Sequence, residues 1–131
     1  MHTKSVLAHS DVLRIMQAAR AEAVENQWAV SIAIVDDGGH LLALERLDGA
    51  TPATARLAPA KARTAALGRR ESRLYEELAT ERVAFLSAEG FTCLEGAVPV
   101  VHDGQVIGAV GVSGVKSSDD ARIAKAGIAA L

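Results

Sequence analysis

The residues able to do chemistry fall into three groups. Lys61 stands in an alanine-rich run, beside Ala60, Ala62 and Ala65, with no long partner near it in sequence. In an apolar pocket such a lysine has a lowered pKa and serves as a base or Schiff-base amine. On a surface it lays its stem along apolar groups and keeps its charge in water. Glu95, at the head of a second apolar region, is the matching candidate for moving a proton. Arg46 and Lys116 flank the β segments and suit a substrate carboxylate.

The stretch GAVGVSGVKSSDD at 108–120 forms the second group. Its spacing G-x-x-G-x-x-G meets neither the phosphate-loop pattern nor the dinucleotide fingerprint. It reads as a strand with few side chains, where Gly111 and Ser113 mark close approach by a ligand or another backbone. The third group is His2, His9, His40 and His102, with Cys93. No H-x-x-x-H or H-E-x-x-H occurs. His40 and His102 lie in or beside turns and read as exposed rings. His9, just before the first helix, is the candidate axial ligand if a porphyrin docks there. Cys93 has no adjacent histidine to activate it and reads better as a small buried hydrophobe.

These residues need a frame. Ser10 predicts an N-cap for a helix over 11–26, with Val12, Met16, Ala19 and Ala23 on one face. VSIAIVDDGGHLLALERLDG then alternates as two short strands around Asp36-Asp37-Gly38-Gly39, a hairpin. Residues 51–68 predict a helix ending at Gly68 as its C′ residue. Pro59 there implies a kink or a start near that point. A short helix over 71–80 and an irregular 81–91 follow. From Thr92 the β signal returns, with an extra short strand at 92–95 as an option. His102-Asp103-Gly104-Gln105 marks a second hairpin turn, and Pro99 asks for an edge strand or a bulge. On the glycine strand, Ile107, Ala109, Gly111 and Ser113 share a face. Ser117 or Ser118 caps a last helix with Ile123 and Ile128 inward. The order α-β-β-α-α-β-β-α predicts a single α+β domain over 1–131, an antiparallel sheet with helices packed on it.

Composition excludes several function classes. The 131 residues are 50% apolar, with four aromatics: Trp28, Tyr75, Phe85 and Phe91. A core this poor in aromatics gains stability by forming a homo-oligomer. A net charge of −2 leaves no footprint for nucleic acid. One cysteine rules out an intrachain disulfide and a multi-cysteine zinc site. No signal-peptide core and no membrane span is visible, so the expected location is cytoplasmic.

IAIVDDGGHLLALERLDGA at 32–50, LAPAKARTA at 57–65 and EGAVPVVHDGQVIGAVGVSGVKSSDDARIAKAGIAAL at 95–131 together resemble the GlcG/HbpS family, also called DUF336. The match covers nearly the whole chain in order. It departs where the family has a double glycine before Val/Ile-Pro; here Gly96-Ala97 stands. The resemblance implies a profilin-like fold and homo-oligomers. It also implies a small-molecule binding protein, with haem or a related tetrapyrrole in an interface pocket and His9 first in line for the iron. Two other readings stay open. One is a catabolic enzyme acting on an organic acid, with Lys61 and Glu95 moving protons and Arg46, Gly111, Ser113 and Lys116 holding substrate. The other is a structural or partner-binding subunit.

Overall fold

The computed structural model describes all 131 residues. Helix α1 (His9–Glu25) leads into strands β1 (Ser31–Asp36) and β2 (Leu41–Arg46). Helices α2 (Pro52–Gly68) and α3 (Ser72–Glu81) follow, then a 3-10 turn at Val83–Ser87, strands β3 (Ala97–His102) and β4 (Gln105–Ser113), and helix α4 (Ser117–Ile128). The four strands form one antiparallel sheet in the order β2-β1-β4-β3. This is the α+β architecture that the element order predicts and the profilin-like fold that the family resemblance implies.

The central strands β1 and β4 are buried on both faces. Val12, Ile15, Met16, Ala19 and Ala23 of α1, with Ile123 and Ala124 of α4, pack on Ile32, Ile34, Val110 and Val112. On the other face α2 lays Ala58, Ala62, Ala65 and Ala66 against Ala33, Val35, Ala97 and Ala109. That second layer is almost all alanine, so helix and sheet backbones run close together. Gly111 lies where they meet: a Cβ there would stand 2.6 Å from the Ala62 nitrogen and closer still to the Ala58 carbonyl oxygen. The approach signalled by the bare strand is therefore made by α2 of the same chain.

Several local expectations change. The N-cap of α1 is Ala8, not Ser10, and Asp11 Oδ2 accepts the Ala8 N–H at 2.9 Å. That bond, then the one from Arg14, holds the Asp11 carboxyl below its ordinary range. Helix α2 runs unbroken through Pro59. Its left-handed cap is Arg69 at φ 58°, and Gly68 serves packing instead, its Cα lying under the Tyr75 ring. No strand forms over 92–95; residues 83–87 take a 3-10 turn. Helix α4 is preceded by Lys116 at the N-cap position, and no serine caps it. Ile128 is only half-buried, whereas Ile123 is fully buried.

Pro99 lies on an edge strand, as its missing N–H requires, and a bulge falls between Val100 and Val101. Opposite it, Ile107 is the extra residue between Val106 and Gly108, so it packs with the α1/α4 core rather than with Ala109. The turn at Asp103-Gly104 has φ 49° and 74°, the pair of positive values that a two-residue hairpin needs.

Candidate functional site

A cleft of about 580 Å³ opens at the β3–β4 hairpin end of the sheet. Leu7, Val100, Ile107 and Ile128 give it an apolar floor, and Asp11, Arg14 and His102 stand in its wall. The bulge that turns Ile107 towards α1 and α4 builds this floor. The volume lies within the range of small-molecule pockets, and an apolar lining with a few polar groups is their usual make-up. His102 Nε2 is 3.4 Å from Asp103 Oδ2, and the ring is mostly exposed. Arg14 donates to Asp11 Oδ1 at 2.5 Å, so its charge is partly engaged.

His9 is the first residue of α1, is exposed, and lines neither this cleft nor any other cavity. His102 is the histidine that the tertiary structure brings into the cleft. Its type alone was visible in the sequence; the cleft arises from the chain entry before α1 and the end of α4, which local pattern does not position. No group of three or more His, Cys, Asp or Glu side chains is arranged to hold a metal ion.

A second polar centre lies inside the molecule. Lys61 is 4% exposed, so it is neither a snorkelling surface lysine nor a group at an open cavity. Its Nζ donates to the Val112 carbonyl oxygen at 3.1 Å and to Asp120 Oδ2 at 3.2 Å. Asp120, 1% exposed, also accepts the Val115 N–H through Oδ1 at 3.1 Å. Burial pushes the Asp120 carboxyl up; Lys61, the Val115 N–H and the Lys61 hydrogen bond pull it back only in part. Gly96, at φ 137°, closes over the ammonium: a Cβ there would stand 2.9 Å from Nζ and 2.7 Å from the Val112 oxygen. The pair thereby fastens α2, β4 and α4 together at one point. Asp120 was not singled out in the sequence, although a lysine among alanines demands an anion if it is buried.

The other sequence candidates lie at the end of the sheet opposite the cleft. Arg46 ends β2, Ser113 ends β4, and Lys116 stands three residues beyond it. Glu95 is two residues before β3, with its backbone N–H bonded to Glu76 Oε1 at 3.3 Å and its side chain in no ion pair with Lys61. Cys93 is a half-buried free thiol whose pKa burial pushes up, the reverse of what a nucleophile needs.

Comparison with known proteins agrees with the architecture. Residues 7–129 match the family described as "Haem degrading protein HbpS-like". Protein GlcG of Escherichia coli strain K12 is 55% identical over 114 residues, 86% of this chain and 85% of that protein. A double mutant of Streptomyces reticuli HbpS superposes with a TM-score of 0.92 at 29% identity, covering 100% of this chain and 90% of that one. The crystal structure of a PduOC:heme complex gives a TM-score of 0.89 at 26% identity, over 97% of this chain and 96% of that one. With the sheet order, the alanine layer and the Gly96 closure in place, the chain belongs to the GlcG/HbpS family.

Proposed function

We propose that this protein binds a small molecule, namely haem or a related tetrapyrrole, in the cleft at the β3–β4 hairpin end. The observation that carries the reading is the cleft itself: an apolar floor of bindable size with one imidazole and one guanidinium in its wall. The haem complex of the structural relative PduOC, and membership of a family described as haem-degrading, support it. Haem, when bound, supplies an iron that a protein imidazole can ligate. His102 would offer that nitrogen, Arg14 would face the propionates, and Leu7, Val100, Ile107 and Ile128 would exclude water from one face.

A hemin titration followed at the Soret band tests this. The wild type is expected to give a shifted, saturable band near one equivalent. His102→Ala is expected to weaken or shift it, and His9→Ala to leave it unchanged. Absence of any band shift at stoichiometric hemin overturns the reading; a shift lost in His9→Ala and kept in His102→Ala moves the ligand to His9.

The second part of the proposal is a homo-oligomer. Edge strand β2 carries Leu41, Leu42 and Leu44 at 53%, 40% and 38% exposed, an unprotected apolar edge of the kind that pairing with another chain covers. Light scattering is expected to return a multiple of the 13.6 kDa chain mass. A monomer mass at tens of micromolar removes this part of the proposal.

A further inference from the structure

Residues 1–7 cross the hairpin end of the sheet before α1 begins, and little holds them there. They make no backbone–backbone hydrogen bond, and all but Leu7 are exposed. A segment with so few buried contacts and an open backbone lifts at low cost. Two side chains fix it. Leu7 packs against the α1/α4 core and seats on Gly108, where a Cβ would stand 2.6 Å from Leu7 Cδ1. The first glycine of the bare strand thus makes room for Leu7. Lys4 donates to Asp37 Oδ2 in an ion pair.

The two seats are neighbours in the sheet, since Asp37 follows Asp36, the register partner of Gly108. Asp37 is itself held: Arg69 Nη1 donates to its carbonyl oxygen at 2.5 Å, and Arg69 Nη2 stands 3.7 Å from Oδ2. The Lys4 hydrogen bond, then the charges of Lys4 and Arg69, keep the Asp37 carboxyl below its ordinary range. The Lys4–Asp37 pair is therefore charged at neutral pH. Both side chains reach solvent, at 37% and 26% exposed, so the pair is a weak tether that salt loosens further.

This run parts three hollows. Ser5, Val6 and Leu7 line the 580 Å³ cleft. Thr3, Lys4 and Ser5 line a second hollow of about 310 Å³, which shares Ser5 and His102 with the cleft. Lys4 also lines a third, of about 450 Å³, with Arg69 and Val101. Lifting the run would join the cleft to the space along the β3–β4 hairpin. The fixed point for such a movement is Ala8, whose N–H is tied to Asp11 where α1 starts.

We propose that residues 3–7 are a strap that gates the cleft. Leu7 on Gly108 and Lys4 on Asp37 latch it closed, and release of the Lys4–Asp37 pair lifts it to admit or discharge a ligand. The gating role rests on the cleft being the binding site proposed above; the movement itself is readable without any ligand.

Trypsin tests the movement, because the Lys4–Ser5 bond enters a protease site only when the strap is lifted. Initial rates of cleavage after Lys4, read by mass spectrometry, follow the open population. Rates are taken relative to a free peptide of residues 1–10, which removes the effect of salt on trypsin. The wild type is expected to be cut more slowly than the peptide. Asp37→Asn should raise the rate about two- to fivefold, the scale of an exposed ion pair, and Leu7→Ala about tenfold. Added chloride should speed cleavage of the wild type and not of Asp37→Asn. Gating is read on a thiol: with Cys93 replaced by serine, Val100→Cys puts one on the cleft floor, at a position 1% exposed. Its labelling by DTNB should quicken with Asp37→Asn in step with cleavage. Hemin transfer to excess apomyoglobin should quicken by a similar factor, although Asp37 lines no cavity and touches the ligand only through the strap. Equal cleavage in wild type and Asp37→Asn, or wild-type cleavage as fast as the peptide's, overturns the strap. Faster cleavage with unchanged thiol labelling overturns the gating. A wild type that binds no hemin, with cleavage and labelling both dependent on Asp37, defeats the haem reading and supports the gate.

Discussion

Replacing Lys61 by alanine is expected to lower the unfolding free energy by about 3–5 kcal/mol, the cost of stripping one partner from a buried ion pair. Asp120 would then be left 1% exposed with only the Val115 N–H to satisfy it, and the Val112 carbonyl oxygen would lose its donor. Asp120→Ala is expected to cost about as much, because it strands an ammonium instead. The double replacement Lys61→Met with Asp120→Leu should cost far less than the sum of the two single changes, since apolar side chains need no partner there. Urea unfolding of the four proteins measures this. Additive single and double effects would mean that Lys61 and Asp120 do not depend on one another.

The pH dependence of the same pair has a defined sign. Burial raises the folded-state pKa of Asp120 above its ordinary value of 3.8. In the window between 3.8 and that raised value the folded state holds the proton more tightly than the unfolded state does. Stability from this one group is therefore highest at the acidic side of the window and falls as pH rises through the folded pKa. Asp120→Asn is expected to remove that component from a stability-versus-pH curve, leaving those of the surface carboxylates.

Gly111→Ala is expected to destabilise by about 1–3 kcal/mol or more, as overpacking does, and Gly111→Val by more again. The methyl group would be driven against the backbone of α2 at Ala58 and Ala62, where no side chain can rotate away. Denaturant midpoints of wild type, Gly111→Ala and Gly104→Ala supply the comparison. Gly104, at φ 74°, has open space around it, so its loss tests backbone strain without crowding. A Gly111→Ala midpoint equal to the wild type's would mean that α2 can lift from the sheet at little cost.

These two sites separate what was legible in the sequence from what was not. The hairpins at Asp37-Gly38 and Asp103-Gly104, the α1 face from Val12 to Ala23 and the edge position of Pro99 were all readable, because turn chemistry and helical periodicity act over a few residues. The helix caps were read wrongly at Ser10, at Gly68 and at Ser117 or Ser118. At each of them a neighbour with a better tertiary or backbone fit took the role: Ala8 with Asp11, Arg69 in the left-handed region, and Lys116. Ile107 left its expected face because one bulge shifts a side chain to the other side of a sheet.

By itself, the sequence determined an α+β chain with two hairpins, a helix layer built of alanine and a strand bared by glycine; local sterics and apolar spacing decide these. Only the tertiary structure decided what lies against the bare strand and where Lys61 points. Gly111 meets α2, and Lys61 meets Asp120, a residue 59 positions away. No local pattern encodes that distance; it follows from three elements closing on one sheet, where a charge removed from water must find its counter-charge.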